Sequence, residues 1–211
     1  MGDLTAHGYL APADSRVSVV VLHEAHGLSG PRSNIPETCD RLAAAGFRAL
    51  APDLYGGRSA TSIDDALALM ATLRPGRARE AVRTAAGVLR AANAGPVAVL
   101  GFCMGGALAF SAALELDGEL SAAVVFYGTP RGAVWRLRVP VLAHFALHDA
   151  FVSLDDIHRV EARLARAGKP VTFHYYGAGH GFMNEKLPAH SPGDAALAWD
   201  RTLEFLRAIP A

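Results

Sequence analysis

The sequence predicts an α/β fold, a mainly parallel sheet with helices on both faces, and three observations carry that expectation. Short β-branched runs alternate with longer Ala/Leu/Arg stretches along the chain, the pattern of strands joined by crossover helices. Runs such as Val17 to Leu22 are almost continuously apolar, which marks strands covered on both sides. Residues able to do chemistry gather where these runs end, the side of a parallel sheet on which ligands bind.

Taken in order, Val17 to Leu22 is the first buried strand and runs into the polar loop His23 to Ser29. Asn34 to Ala45 has helical spacing, with Gly46 where a left-handed residue closes a helix. Phe47 to Ala51 forms a short strand stopped by Pro52. Apolar residues at Ile63, Ala66, Leu67 and Met70 recur at helical intervals, Pro75-Gly76 interrupts, and a further helix covers about Ala78 to Ala92. Pro96 to Leu100 is a strand that passes through Gly101-Phe102-Cys103-Met104-Gly105-Gly106 into a helix over Ala107 to Leu116. Ala122 to Phe126, Val139 to Phe145 and Val171 to Tyr175 are strands, and Arg159 to Ala167 and Ala195 to Leu206 are helices. No repeat or compositional break divides the chain, so residues 1–211 are expected to form one domain.

Composition excludes several functions. With 51% hydrophobic and 19% charged residues, the chain has ample material for a core and is not disordered. Twenty basic residues balance twenty acidic ones, which leaves no basic footprint for nucleic acid or an anionic membrane. The apolar runs are strand-sized, far short of the roughly 20 residues of a spanning helix. Met1 to Leu10 carries Asp3 and neither Lys nor Arg, unlike a secretion signal. Two cysteines, Cys39 and Cys103, make no disulfide framework, so a reduced cytoplasmic setting is expected.

Gly101-Phe102-Cys103-Met104-Gly105 has the form of a G-x-S-x-G nucleophile elbow with cysteine in place of serine. Such a turn lifts the side chain over the sheet edge, where the helix N-terminus favours a thiolate and the Met104 amide faces a developing oxyanion. The other reading of this segment is a structural cysteine at a glycine-rich packing junction; Cys39, inside a helical pattern, is expected in the core.

A nucleophilic cysteine needs a base, and the base needs an orienting group. His180, between Gly179 and Gly181, follows one strand and Asp149 follows another; the chain order Cys, Asp, His is that of α/β-hydrolases. Alone, each is equally a turn, cap or loop residue. Glu24, in His23-Glu24-Ala25-His26-Gly27, is expected to border the same crevice, where a carboxylate can take a proton from Cys103 or position a water; its other reading is an ordinary surface-loop residue. The i, i+3 histidine spacing there is not the helical H-E-x-x-H pattern, and no metal is expected.

These segments together resemble the dienelactone hydrolase family of α/β-hydrolases, from roughly Val17 to Leu206. The carriers are H-E-A-H-G-L at His23, P-D-L-Y-G at Pro52, G-F-C-M-G-G-A at Gly101, F-Y-G at Phe126, H-D-A-F-V at His148 and A-G-H-G-F at Ala178. The resemblance implies an α/β-hydrolase fold with a minimal cap and hydrolysis of a lactone or small ester, with no cofactor, by a monomer or homodimer. Cys103 would be nucleophile, His180 base and acid, Asp149 its orienter, and Glu24 the acidic residue that contacts the resting cysteine and helps form the thiolate when substrate binds. The amides of Ala25 and Met104 would make the oxyanion hole. His26, Tyr55, Tyr127, Phe151, Phe182 and Asn184 fall at substrate-pocket positions.

Two departures bear on substrate. Asn184 stands where the family places an arginine that grips a substrate carboxylate, and His26 stands where the pocket loop is often aromatic and apolar. Arg58, Arg74, Arg77 and Arg79 either substitute for that grip or are solvated surface arginines. Three alternatives to a lactone hydrolase remain at this stage: a general small-ester carboxylesterase, a redox-sensing or ligand-binding thiol protein, and a non-hydrolytic cyclase or chaperone.

Overall fold

The computed structural model describes residues 1–5, 8–129 and 132–210. Eight strands form one sheet: β1 (Asp3–Thr5), β2 (Gly8–Ala11), β3 (Ser18–Leu22), β4 (Arg48–Ala51), β5 (Val97–Phe102), β6 (Ala122–Phe126), β7 (Val141–His148) and β8 (Val171–Gly179). Their spatial order is β1-β2-β4-β3-β5-β6-β7-β8. The pairings from β4 through β8 are parallel, whereas β1 with β2 and β2 with β4 are antiparallel. Among the described residues six α-helices connect and cover the sheet: α1 (Ile35–Ala44), α2 (Ile63–Thr72), α3 (Pro75–Ala92), α4 (Met104–Glu115), α5 (Leu154–Arg166) and α6 (Pro192–Arg207).

Alternation along each strand assigns residues to two cores. Val19 and Val21 of β3, with Ala98, Leu100 and Phe102 of β5, face Leu42 of α1 and Trp199 and Leu206 of α6. Val20 and Leu22, with Val97 and Val99, face Val82 and Leu89 of α3, Phe110 of α4 and Leu164 of α5. A strand with a core on each side must be apolar at nearly every position, which is why these runs do not alternate with polar residues.

Several boundaries differ from the sequence reading. The antiparallel pair β1 and β2 has no counterpart in it, because β2 is held by pairing to β4 and by Tyr9 donating to the Asp40 carboxylate at 3.0 Å, and β1 by pairing to β2, rather than by a strand-like pattern. Pro75 starts α3 instead of interrupting a helix, since its missing N–H is one a first turn leaves unused anyway. Helix α5 begins at Leu154, five residues before the expected start, where the Ser153 hydroxyl accepts from the Asp156 amide. Strand β7 runs on to His148 and β8 to Gly179, so both deliver the chain directly to the residues that follow. Gly46 does close α1, at φ +88°. Helix α2 exists, but of its apolar spacing only Ala66 is buried; Ile63, Leu67 and Met70 are exposed. No helix among the described residues is long and apolar enough to cross a membrane.

Candidate active site

Five parallel strands each end in a residue with chemical potential: Glu24 after β3, Cys103 after β5, Tyr127 after β6, Asp149 after β7 and His180 after β8. Because these strands are neighbours, their ends form one continuous edge.

Cys103 occupies the junction of β5 and α4 with φ +53°, a conformation a non-glycine side chain adopts only under constraint. The constraint is close packing. A Cβ at Gly101 would stand 2.0 Å from the Gly105 carbonyl oxygen, and one at Gly105 would stand 2.3 Å from that of Leu22. Only glycine permits α4 to start this near the sheet. The Cys103 amide donates to the Phe126 carbonyl at 3.0 Å, which ties the turn to β6. The side chain is half-buried, whereas Cys39 lies in the core, where burial pushes its thiol far above the ordinary range. Met104 is the first residue of α4, and no hydrogen bond among the described residues uses its backbone N–H or that of Ala25.

Asp149 is held by the turn that follows it. Its Oδ1 accepts from the amides of Phe151 at 2.8 Å and Val152 at 2.9 Å, leaving Oδ2 to accept from His180 Nδ1 at 2.7 Å. The other imidazole nitrogen, Nε2, is shielded from solvent and has no hydrogen-bond partner of standard geometry. Burial by itself lowers the His180 pKa; hydrogen bonding and charge from Asp149 and Cys103 outweigh it and raise the value to about 10. The Cys103 sulfur therefore lies within electrostatic reach of the imidazole. It also helps raise the hydroxyl pKa values of Tyr55, to about 12, and Tyr127, in both cases after burial as the leading cause.

Glu24 is buried, and its two oxygens have separate partners. Oε1 accepts from the Tyr127 hydroxyl at 3.1 Å and Oε2 from the Asn184 amide at 2.9 Å. No hydrogen bond joins Glu24 to Cys103.

The residues expected on the pocket wall are placed differently from one another. Phe151 is 64% exposed, and its ring sits edge-on to His180 at 4.9 Å. Tyr127, expected on the wall, is fully buried: it packs against His180 at 4.9 Å and reaches Glu24, so it supports the site from beneath. Phe182 is likewise buried, against Tyr127 and Tyr176. Tyr55 is buried with its hydroxyl donating to Met104 Sδ at 3.2 Å. Asn184 is fully buried and committed to Glu24 and to the Arg32 carbonyl, both accepting its amide at 2.9 Å. His26 is buried close to Glu24. Of the arginines considered as a carboxylate grip, Arg58 folds back onto the Tyr55 carbonyl and Thr72, and Arg79 pairs with Glu115.

One positioning residue escaped the sequence reading. His23 Nδ1 donates to the Glu24 carbonyl at 2.6 Å while Nε2 accepts from the Leu54 amide at 3.2 Å, which fixes its tautomer and clamps the Asp53 turn to the Glu24 loop. Its fully buried place at the end of β3 carries no pattern that a sequence displays, apart from a histidine following an apolar run. Among the described residues, no three His, Cys, Asp or Glu side chains gather as a metal-binding group.

This geometry can be set beside known proteins. A model of the dienelactone hydrolase family matches residues 6–209. A protein named usf from Aquifex pyrophilus is 34% identical, over 95% of this chain and 92% of its own. The carboxymethylenebutenolidase of Pseudomonas sp. (strain P51) is 30% identical, over 98% of this chain and 90% of its own. The solved structure of MGS-M1, an α/β-hydrolase enzyme from a deep-sea metagenome library of the Medee basin, shares the fold. Its TM-score is 0.72 at 17% identity, over 95% of this chain and 90% of that one. By the span of the family match and the identity of these relatives, the chain belongs to the dienelactone hydrolase family and is a carboxylic ester hydrolase with the α/β-hydrolase fold.

Proposed function

We propose that the enzyme cleaves a lactone or small carboxylic ester through a thioester on Cys103, with His180 and Asp149 completing the catalytic set. The observation that carries this reading is the 2.7 Å hydrogen bond from His180 Nδ1 to the buried Asp149 carboxylate, which leaves Nε2 for a strained, half-buried cysteine whose influence reaches the imidazole. A raised imidazole pKa suits a thiolate–imidazolium pair as the reactive state.

In the first half-reaction the sulfur attacks the carbonyl carbon, and its electron pair forms the S–C bond while the carbonyl oxygen becomes an oxyanion. The Met104 and Ala25 amides donate to that oxygen, a contribution of about 3–4 kcal/mol per donor in related chemistry. Collapse breaks the C–O bond, and the leaving oxygen takes the proton from His180 Nε2. The now neutral imidazole removes a proton from water, whose oxygen attacks the thioester. Collapse of that second intermediate expels the thiolate and restores the starting pair. Glu24 is assigned to helping Cys103 ionise. A lactone is opened rather than split, so its alcohol end stays attached to the product.

One observation favours a general small-ester carboxylesterase over an enzyme dedicated to an anionic lactone. Asn184, at the position of the family's carboxylate-gripping arginine, is wholly engaged by Glu24 and Arg32.

The test is the intact mass of the enzyme mixed with an activated ester such as p-nitrophenyl acetate. Wild type is expected to gain one acyl group and Cys103→Ala none, with ester turnover abolished in the variant. Undiminished turnover by Cys103→Ala would overturn the mechanism.

A further inference from the structure

The reaction above leaves the charge of one buried pair unassigned. Glu24 and His26 flank Ala25 in the loop after β3, and they are 5% and 7% exposed. Both donors to the Glu24 carboxylate are neutral: an amide from Asn184, and a Tyr127 hydroxyl that burial keeps protonated. Ionised, this carboxylate is a buried negative charge without a hydrogen-bonded cation, an arrangement proteins avoid.

His26 is the complementary anomaly. The other two buried histidines among the described residues have both ring nitrogens partnered: His23 by the Glu24 carbonyl and the Leu54 amide, His144 by Tyr176 and Thr202. Neither nitrogen of His26 has a partner or contact with solvent. Its Nδ1 lies 3.8 Å from Glu24 Oε2, too far for a hydrogen bond and within ion-pair distance. No other basic group among the described residues comes within that distance of Glu24.

We propose that His26 is the counter-charge of Glu24: an imidazolium at His26 pairs with the carboxylate at 3.8 Å and holds it in place in the loop after β3. This rests on the reading that Cys103 is the nucleophile. The pairing accounts for a carboxylate with only neutral hydrogen-bond donors and gives the otherwise unpartnered His26 Nδ1 an ionic neighbour. His26 acts through Glu24, as a positioning residue, since its nitrogens are closed to any substrate.

A double-mutant cycle over His26→Phe and Glu24→Gln tests the pairing, read in the kcat and KM of an activated ester and in Tm. Alone, His26→Phe is expected to lower kcat about tenfold with KM little changed. It also lowers Tm, because it leaves a buried charge unpaired. In Glu24→Gln protein the same substitution is expected to reduce neither quantity. Equal effects in the two backgrounds, or an unchanged kcat with a higher Tm when His26 is replaced in wild type, overturn the proposal. His26→Gln takes the place of the phenylalanine variant in the same cycle if the latter does not fold. The acyl adduct on Cys103 is measured alongside. Its absence from wild type overturns the cysteine reading and the pairing together, whereas an adduct with additive effects overturns the pairing alone.

Discussion

Both oxygens of Asp149 are engaged, and the two engagements can be separated by one substitution. In Asp149→Asn the amide oxygen can still accept from Phe151 and Val152, so the turn after β7 is preserved. The amide nitrogen, however, is a donor and cannot accept from His180 Nδ1. On the proposed mechanism, the imidazole then takes the opposite tautomer and presents a proton to Cys103 where a proton acceptor is needed. Ester turnover is expected to fall by about 10²–10⁴-fold with little change in Tm, measured by steady-state kinetics and thermal unfolding. Cys103, His180, Asp149 and Glu24 could be singled out as candidates in the sequence because each lies a few residues beyond the start of a strand-end loop, and glycines mark the turns at Cys103 and His180. The orientation of Asn184 was not. Its inward turn depends on how the loop after β8 packs against Glu24 and Arg32, and no local pattern encodes that. Tyr127 misled for a similar reason: an aromatic residue at a strand end reads as pocket wall until packing shows it beneath the histidine.

At the scale of elements, α4 depends on how closely its first turn approaches the sheet. Gly105→Ala forces a Cβ to within 2.3 Å of the Leu22 carbonyl oxygen, and backbone on both sides resists the shift. A loss of about 2–3 kcal/mol in unfolding free energy is expected, together with impaired turnover, as the Cys103 turn moves with the helix. Gly87, on the exposed face of α3, meets nothing within 4 Å, so Gly87→Ala is expected to stabilise by about 0.5–1 kcal/mol and leave activity alone. Denaturant unfolding of both variants checks this pair. The helices and buried strands were legible because their periods follow from having a core on one side or on two. Strands β1 and β2 were not, since edge strands of three and four residues are defined by the strands they pair with, β2 with β4 and β1 with β2, rather than by their own composition. Helix α2 was legible as a helix, with the Ser62 hydroxyl accepting from the Asp65 amide at 3.1 Å, yet its apolar spacing did not reveal that the stripe faces outward.

For the molecule as a whole, the raised pKa of His180 links folding to pH. Its folded value of about 10 lies above the ordinary 6.5, so folding favours the protonated imidazole. That stabilisation is fully present below about pH 6.5 and is lost as pH rises through about 10. Wild-type Tm is therefore expected to decline across this window more steeply than that of His180→Gln; parallel declines would show that another group governs alkaline stability. The sheet that makes this site has a further consequence. Each contributing side chain hangs from a separate strand end, and the strand order β3, β5, β6, β7, β8 repeats the chain order of Glu24, Cys103, Tyr127, Asp149 and His180. One connecting segment can be lengthened or exchanged while the others keep their register. The scaffold thus lets selection retune which molecules are admitted, one segment at a time, without rebuilding the chemistry.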